Sequence, residues 1–165
     1  MNISTLLRYV AILLVISVNI GCDQASKHAI RQHIGDHEHI SIVSDNVILM
    51  KVENSGAFLS LGDSLSPLAK SILLSALPMA ALILLVVWLF GQTHNKWAVF
   101  ALCCIAGGGI GNIYDRIMYG SVTDFLFIQC GIFRTGVFNF ADVSITFGTC
   151  LVLLQQVLGK QKGPN

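Results

Sequence analysis

Charge is scarce in this chain. Asp, Glu, Lys and Arg together make up 12% of its 165 residues; a water-soluble domain carries about twice that fraction. No sign dominates. The net charge of +1 leaves nothing to neutralise a row of phosphates, which argues against a nucleic-acid partner. The five cysteines have no CxxC spacing and form no Cys/His ligand set, so neither a disulfide framework nor a zinc site is expected. Cys103 and Cys104 are adjacent inside an apolar run, where cysteine acts as a small hydrophobe. Internal repeats, low-complexity tracts and Gly/Ser linkers are absent, and the length fits one domain over residues 1–165.

Hydrocarbon is what the chain has in excess. Hydrophobic residues make up 54%, and the mean hydropathy is +0.71. Four apolar segments approach the roughly 20 residues that a helix needs to cross a bilayer. They run over about 6–22, 68–90, 97–113 and 137–158. Helices are expected because lipid offers backbone groups no other partner. Arg8, Lys96, Lys160 and Lys162 flank the segments in stretches free of Asp and Glu. Positive residues favour the cytoplasm, which places both termini inside and the connections at about 27–67 and 114–136 outside. Residues 1–22 also resemble a secretory signal peptide ending in Gly-Cys22. Asn19 fits a lipidation site poorly, and the segment is expected to remain as the first span.

The first outer connection carries two β-like runs, Ile40–Val43 and Val47–Val52, with a Ser44–Asn46 turn signal between them. They predict a small hairpin lying on the membrane surface. The second carries Phe125–Ile128 and Ile132–Phe133, too apolar for a solvated loop, and an amphipathic loop at the membrane interface is expected. The overall expectation is an all-α membrane protein of four transmembrane helices with a small β-rich outer subdomain.

Asp36, Glu38, Asp45, Glu53 and Asp63 lie in the first outer connection, where solvation explains them. Asp23, Asp115, Asp124 and Asp142 lie at the outer ends of the apolar segments. Ionisable groups at membrane depth cost a few kcal/mol or more, and function is their usual reason. Asn139 and Asp142 share a helix face, as does Asn112 with Arg116. Asn139 could instead cap the helix, with Asp142 at its positive end. Asp124 could be a turn aspartate, Asn54–Phe58 a turn, and Asp23 with Lys27 a surface ion pair. Gly108 and Gly111 sit in a small-residue seam that lets membrane helices approach closely. His28, His33, His37 and His39 have irregular spacing and read as a solvated face, not a metal site.

Taken in order, Asp23–Lys27, Asn54–Phe58, Gly108–Arg116, Val122–Phe125 and Phe138–Ile145 closely resemble the lipoprotein signal peptidases, or signal peptidase II. The resemblance covers about residues 23–148. It implies an aspartic endopeptidase with Asp124 and Asp142 as catalytic dyad and with no cofactor or metal. It further implies that Asn54, Asn112, Arg116 and Asn139 contact substrate or orient the dyad. Asp23, Lys27, Gly108 and Gly111 are expected as structural support. The implied substrate is a prolipoprotein carrying a diacylglyceryl-cysteine, cut just before that cysteine. The implied place is the bacterial inner membrane, with the site near the outer leaflet and membrane lipid around it. A monomer suffices, because both aspartates are in one chain. A transporter would need polar residues through the whole bilayer depth, and a thiol oxidase would need cysteine pairs in the outer loops; neither pattern is present.

Overall fold

The computed structural model describes residues 2–43, 46–57, 64–91 and 95–160. Phe58, the Ser44 and Asp45 of the predicted turn, Asp63 and Lys162 lie outside them. Among the described residues four helices are long and apolar enough to cross a membrane: α1 (Ile3–His33), α2 (Pro67–Gly91), α3 (Lys96–Tyr119) and α4, which starts at Phe140 and continues to Lys160. Helices of this length and composition suit a multi-pass membrane protein.

α3 is the central helix. It buries Ala101, Cys103, Cys104, Ala106, Gly107, Gly108 and Gly111 against its neighbours. Cys103 and Ala106 join Ile12 and Ile16 of α1 and Leu89 of α2 in one apolar cluster. The other helices keep large apolar side chains on their outer faces, among them Leu14, Leu84 and Leu153. Such surfaces suit hydrocarbon, not water. Within α2, residues Ser71–Ala76 form a π-helical stretch, closed by the Leu77 N–H on the Ile72 carbonyl. Pro78 follows immediately. It lacks an N–H and crowds the preceding turn, which is a recognised cause of such irregularity.

Between the helices lies one antiparallel sheet in the order β1-β2-β3-β4: β1 (His39–Ser41), β2 (Val47–Asn54), β3 (Val122–Cys130) and β4 (Phe133–Arg134). Ile40 faces Leu49 in the predicted hairpin, and the Asn46 N–H closes on the Val43 carbonyl. β2 pairs with β3 from Val47 opposite Ile128 to Asn54 opposite Val122, with a register shift between Leu49 and Val52.

Three expectations need correction. First, α1 does not end near Cys22, and the first outer connection does not begin at Lys27. The helix runs to His33 because Asp23, Lys27 and Arg31, four apart on one face, find buried partners instead of water. Second, α3 passes Ile113 and ends at Tyr119. Gly120, at φ 78°, then turns the chain left-handed into β3, as glycine tolerates. Third, residues 122–134 are not a free amphipathic loop but two strands of the same sheet as the hairpin. Phe125 is buried against Ile30 and Ile34 of the α1 end, and its ring meets Phe140 edge-on. Ile132 and Phe133, at the β3–β4 turn, are exposed.

Candidate active site

Where the sheet meets the bundle, four elements bring polar side chains to one place. Asp124 enters from β3, Asn54 from the end of β2, Asn112 and Arg116 from α3, and Asp142 from the first turn of α4. With Ala57, Val122 and Val137 they line a cavity of about 70 Å³. That is room enough for a water molecule.

Asn139 and Asp142 form a reciprocal helix cap. The Asp142 N–H donates to Asn139 Oδ1 at 3.0 Å, and the Asn139 N–H donates to Asp142 Oδ2 at 3.2 Å. The capping alternative is therefore correct as local structure, and it serves the site. With its oxygen held by the helix, the Asn139 amide turns its Nδ2 to Asp124 Oδ1 at 2.6 Å. Asn54 behaves alike. Its Oδ1 accepts the Gly56 N–H at 3.0 Å, and its Nδ2 donates to Asp124 Oδ2 at 2.9 Å. Asn112 is the third case: its Oδ1 accepts from Lys27 Nζ at 2.8 Å, and its Nδ2 donates to Asp142 Oδ1 at 2.9 Å.

Each amide is thus fixed by a group that can only donate, so its nitrogen must face a carboxylate. Every oxygen of the two carboxylates accepts one hydrogen bond from this frame. The two carboxyl groups are bridged by a chain, because Asn139 Nδ2 also reaches Asn112 Oδ1 at 3.2 Å. Arg116 donates from its guanidinium to the Gly56 carbonyl and lines the cavity. Burial pushes the Asp124 carboxyl up to about 6, opposed by the Asn54 hydrogen bond and reinforced by the neighbouring charge of Asp142.

Asp23 and Lys27 are not a surface pair. Both side chains are fully buried, 2.8 Å apart, and Lys27 also meets Asp115 at 3.0 Å. Asp23 Oδ1 accepts the Ala141 N–H at 2.9 Å, tying α1 to the start of α4. The glycine seam supports the same junction. A Cβ on Gly111 would stand 2.5 Å from Asp23 Oδ2, and one on Gly108 would collide with the Ala141 carbonyl.

Several contributors were not legible as site residues. Arg31 pairs with Asp115 at 3.0 Å and donates from Nε to Thr123 Oγ1 at 2.8 Å. Thr123 in turn donates to Glu53 at 2.7 Å, and Gln24 reaches Asp23, Asp115 and the Gly111 carbonyl, each at 3.1 Å. The spacing of Asp23, Lys27 and Arg31 was the available signal. His28 and His33 on α1 and His37 and His39 beyond it are exposed, and among the described residues no three His, Cys, Asp or Glu gather as a metal site.

Comparison with known proteins points the same way. Residues 14–158 match the family model described as signal peptidase (SPase) II. The lipoprotein signal peptidase of Borrelia duttonii is 33% identical over 165 residues, covering 96% of each chain. That of Beijerinckia indica is 39% identical over 110 residues, 67% of this chain and 65% of the relative. A bacterial membrane enzyme solved by the in meso method at 2.3 Å superposes with a TM-score of 0.84 at 22% identity, covering 94% of this chain and 92% of its own. At that identity the structural likeness speaks to the fold alone. The family match and the full-length relative go further: this chain belongs to the signal peptidase II family.

Proposed function

We propose that this protein is an aspartic endopeptidase that removes signal peptides from lipoprotein precursors, with Asp124 and Asp142 as the reacting pair. One observation carries the reading: two carboxylates on different elements line one small polar cavity, each oxygen held by a donor-fixed frame. Two such carboxyls favour a shared single proton, since ionising both places like charges together. The charged member takes a proton from a water as that water attacks the scissile carbonyl carbon. The protonated member hydrogen-bonds the carbonyl oxygen as it becomes an oxyanion. The tetrahedral intermediate then collapses, the C–N bond breaks, and a proton passes to the leaving amine. Burial raises the Asp124 carboxyl to about 6, so it takes up a proton more readily than an ordinary aspartate; the titration itself belongs to the pair.

The substrate class is a precursor whose cysteine carries a diacylglyceryl group, cut just before that cysteine. Arg116 and Asn54, at the cavity wall, are in place to meet its backbone. The chain works as one membrane domain in the bacterial inner membrane, with both termini cytoplasmic and the cavity at the outer leaflet. A monomer, without cofactor, is sufficient for this chemistry.

The test is cleavage of a diacylglyceryl-modified precursor by purified protein in detergent, with Asp124→Asn and Asp142→Asn beside wild type. Wild-type cleavage before the lipidated cysteine, with both variants folded and slower by at least about 1,000-fold, is expected. Full activity in either folded variant would sink the assignment of the pair.

A further inference from the structure

Lys27 does not line the cavity, yet it touches the frame around it. Its ammonium is fully buried and offers three donors and no acceptor. Three acceptors take them: Asp23 Oδ2 at 2.8 Å, Asp115 Oδ2 at 3.0 Å and Asn112 Oδ1 at 2.8 Å. The first two contacts tie α1 to α3. For that purpose Asn112 is not needed, because Gln24 and Arg31 also join the same two carboxylates to their surroundings. The third contact does something else.

We infer that Lys27 is a positioning residue for Asp142: it sets which way the Asn112 amide faces, and so supplies the N–H that holds Asp142 Oδ1. The inference rests on the reading of Asp124 and Asp142 as the reacting pair. The physical reason is a matter of amide polarity. A primary amide looks nearly the same either way round, and only its partners choose between orientations. On one side of Asn112 stand Lys27 and, behind it, Asp23 and Asp115; on the other stands Asp142. With the ammonium present, Asn112 must turn its oxygen inward and its nitrogen to Asp142. Replace the ammonium by a methyl-ended side chain and two buried carboxylates are left facing the amide. Only the longer 3.2 Å bond from Asn139 Nδ2 then holds the Asn112 oxygen in place; against two carboxylates it yields, the nitrogen turns inward to them, and the oxygen meets the Asp142 carboxylate, acceptor against acceptor. Asp142 loses a donor and gains a repulsion, although no residue in the cavity has changed.

The experiment uses a fluorogenic diacylglyceryl-modified precursor peptide in detergent micelles. Lys27→Met should lower kcat about 10- to 100-fold, the worth of a lost hydrogen bond to a charged group, with KM within about threefold because the cavity wall is intact. The alkaline limb of the pH profile should move to higher pH, because the charged form of the pair loses a donor. The charged groups facing this region are Asp23, Lys27 and Arg31 on α1, Asp115 and Arg116 on α3, Asp142 on α4, Asp124 on β3 and Glu53 on β2.

Loss of the Lys27 charge by itself also raises Asp124, so the limb does not separate a positioning from a structural lysine, and the double-variant cycle with Asn112 decides. Introduced into Asn112→Leu, which already lacks the amide, Lys27→Met should slow kcat by no more than about threefold, because the two act in series. Multiplying losses would overturn the inference. Since Lys27→Met leaves a buried charge uncompensated, the charge-balanced double variant Asp23→Asn/Lys27→Met is the second probe. If it folds and regains wild-type kcat and pH profile, Lys27 does not position Asp142. Wild-type activity and its loss in Asp124→Asn are read in parallel. If wild type does not cleave, the peptidase reading itself fails; if it cleaves and Lys27→Met is indistinguishable from it, only the present inference fails.

Discussion

Replacing Gly108 with alanine places a methyl group between α3 and α4 at one of their two tight approaches. A Cβ there stands 2.9 Å from Ile145 Cγ1 and closer still to the Ala141 carbonyl oxygen. Ile145 can rotate away. The carbonyl is backbone in the first turn of α4 and yields only if the helix moves, by roughly 1 Å to restore ordinary contact. One turn along α3 from Gly108 is Asn112, and the residue after Ala141 is Asp142. Their hydrogen bond is 2.9 Å long, so the same displacement breaks it.

Overpacking of this kind costs about 1–3 kcal/mol of stability. A displacement of about 1 Å at reacting groups costs on the order of 100-fold in rate. Gly148→Ala supplies the control. Its Cβ would press on the Ala101 carbonyl and on Ile105 across the same helix pair, but six residues beyond Asp142, about 9 Å along the axis. Thermal unfolding and kcat are measured on both variants in one detergent. Both should melt lower; Gly108→Ala alone should lose on the order of 100-fold in kcat. Equal activity loss in the two, or an unaffected rate in Gly108→Ala, would refute the claim that this seam sets the spacing of the site.

Two further predictions concern charge. The folded-state value of Asp124 is raised from 3.8 to about 6, so its proton favours the folded state at low pH and that benefit is lost as pH rises through about 6. Relative to wild type, Asp124→Asn should gain up to about 3 kcal/mol of stability between pH 4 and pH 8; a difference that stays flat with pH, measured by denaturation in detergent, would contradict the burial of a titrating carboxyl. Arg116→Ala removes the donor to the Gly56 carbonyl and one wall of the cavity. It should slow cleavage about 10- to 100-fold while the protein still inserts and melts cooperatively; an unfolded product would instead make Arg116 structural.

The spans were legible because lipid leaves a helix little choice of side chain over some twenty residues. Their ends were not. Asp23, Lys27 and Arg31 look like the point where α1 meets water, and only the pairing with Asp115, far along the chain, keeps the helix going to His33. Phe125 looked like a membrane-interface residue because its partners Ile30 and Ile34 lie on an extension of α1 that the charge pattern concealed. The acids that matter stood out because they are isolated in apolar surroundings. Asn112 and Asn139 were legible as neighbours of those acids, and Asn54 only through the family resemblance, but none was legible as an oriented amide. Orientation depends on what holds each oxygen, namely a helix N–H, a loop N–H and the Lys27 ammonium. The helix N–H follows from the Asn139–Asp142 spacing, but the other two cannot be read from spacing alone.

The antiparallel pairing of β2 with β3 has a consequence in time. The chain must complete α2 and α3 before β3 is made, and Asn139 and Asp142 follow only with the start of α4. A nascent chain that stops short of α4 lacks one carboxylate, the amide that bridges to the other, and the backbone N–H that anchors Asp23. On the proposed function, a partly synthesised enzyme sitting in the same membrane as its substrates is inert. Cutting activity begins only when the last helix has been threaded into place.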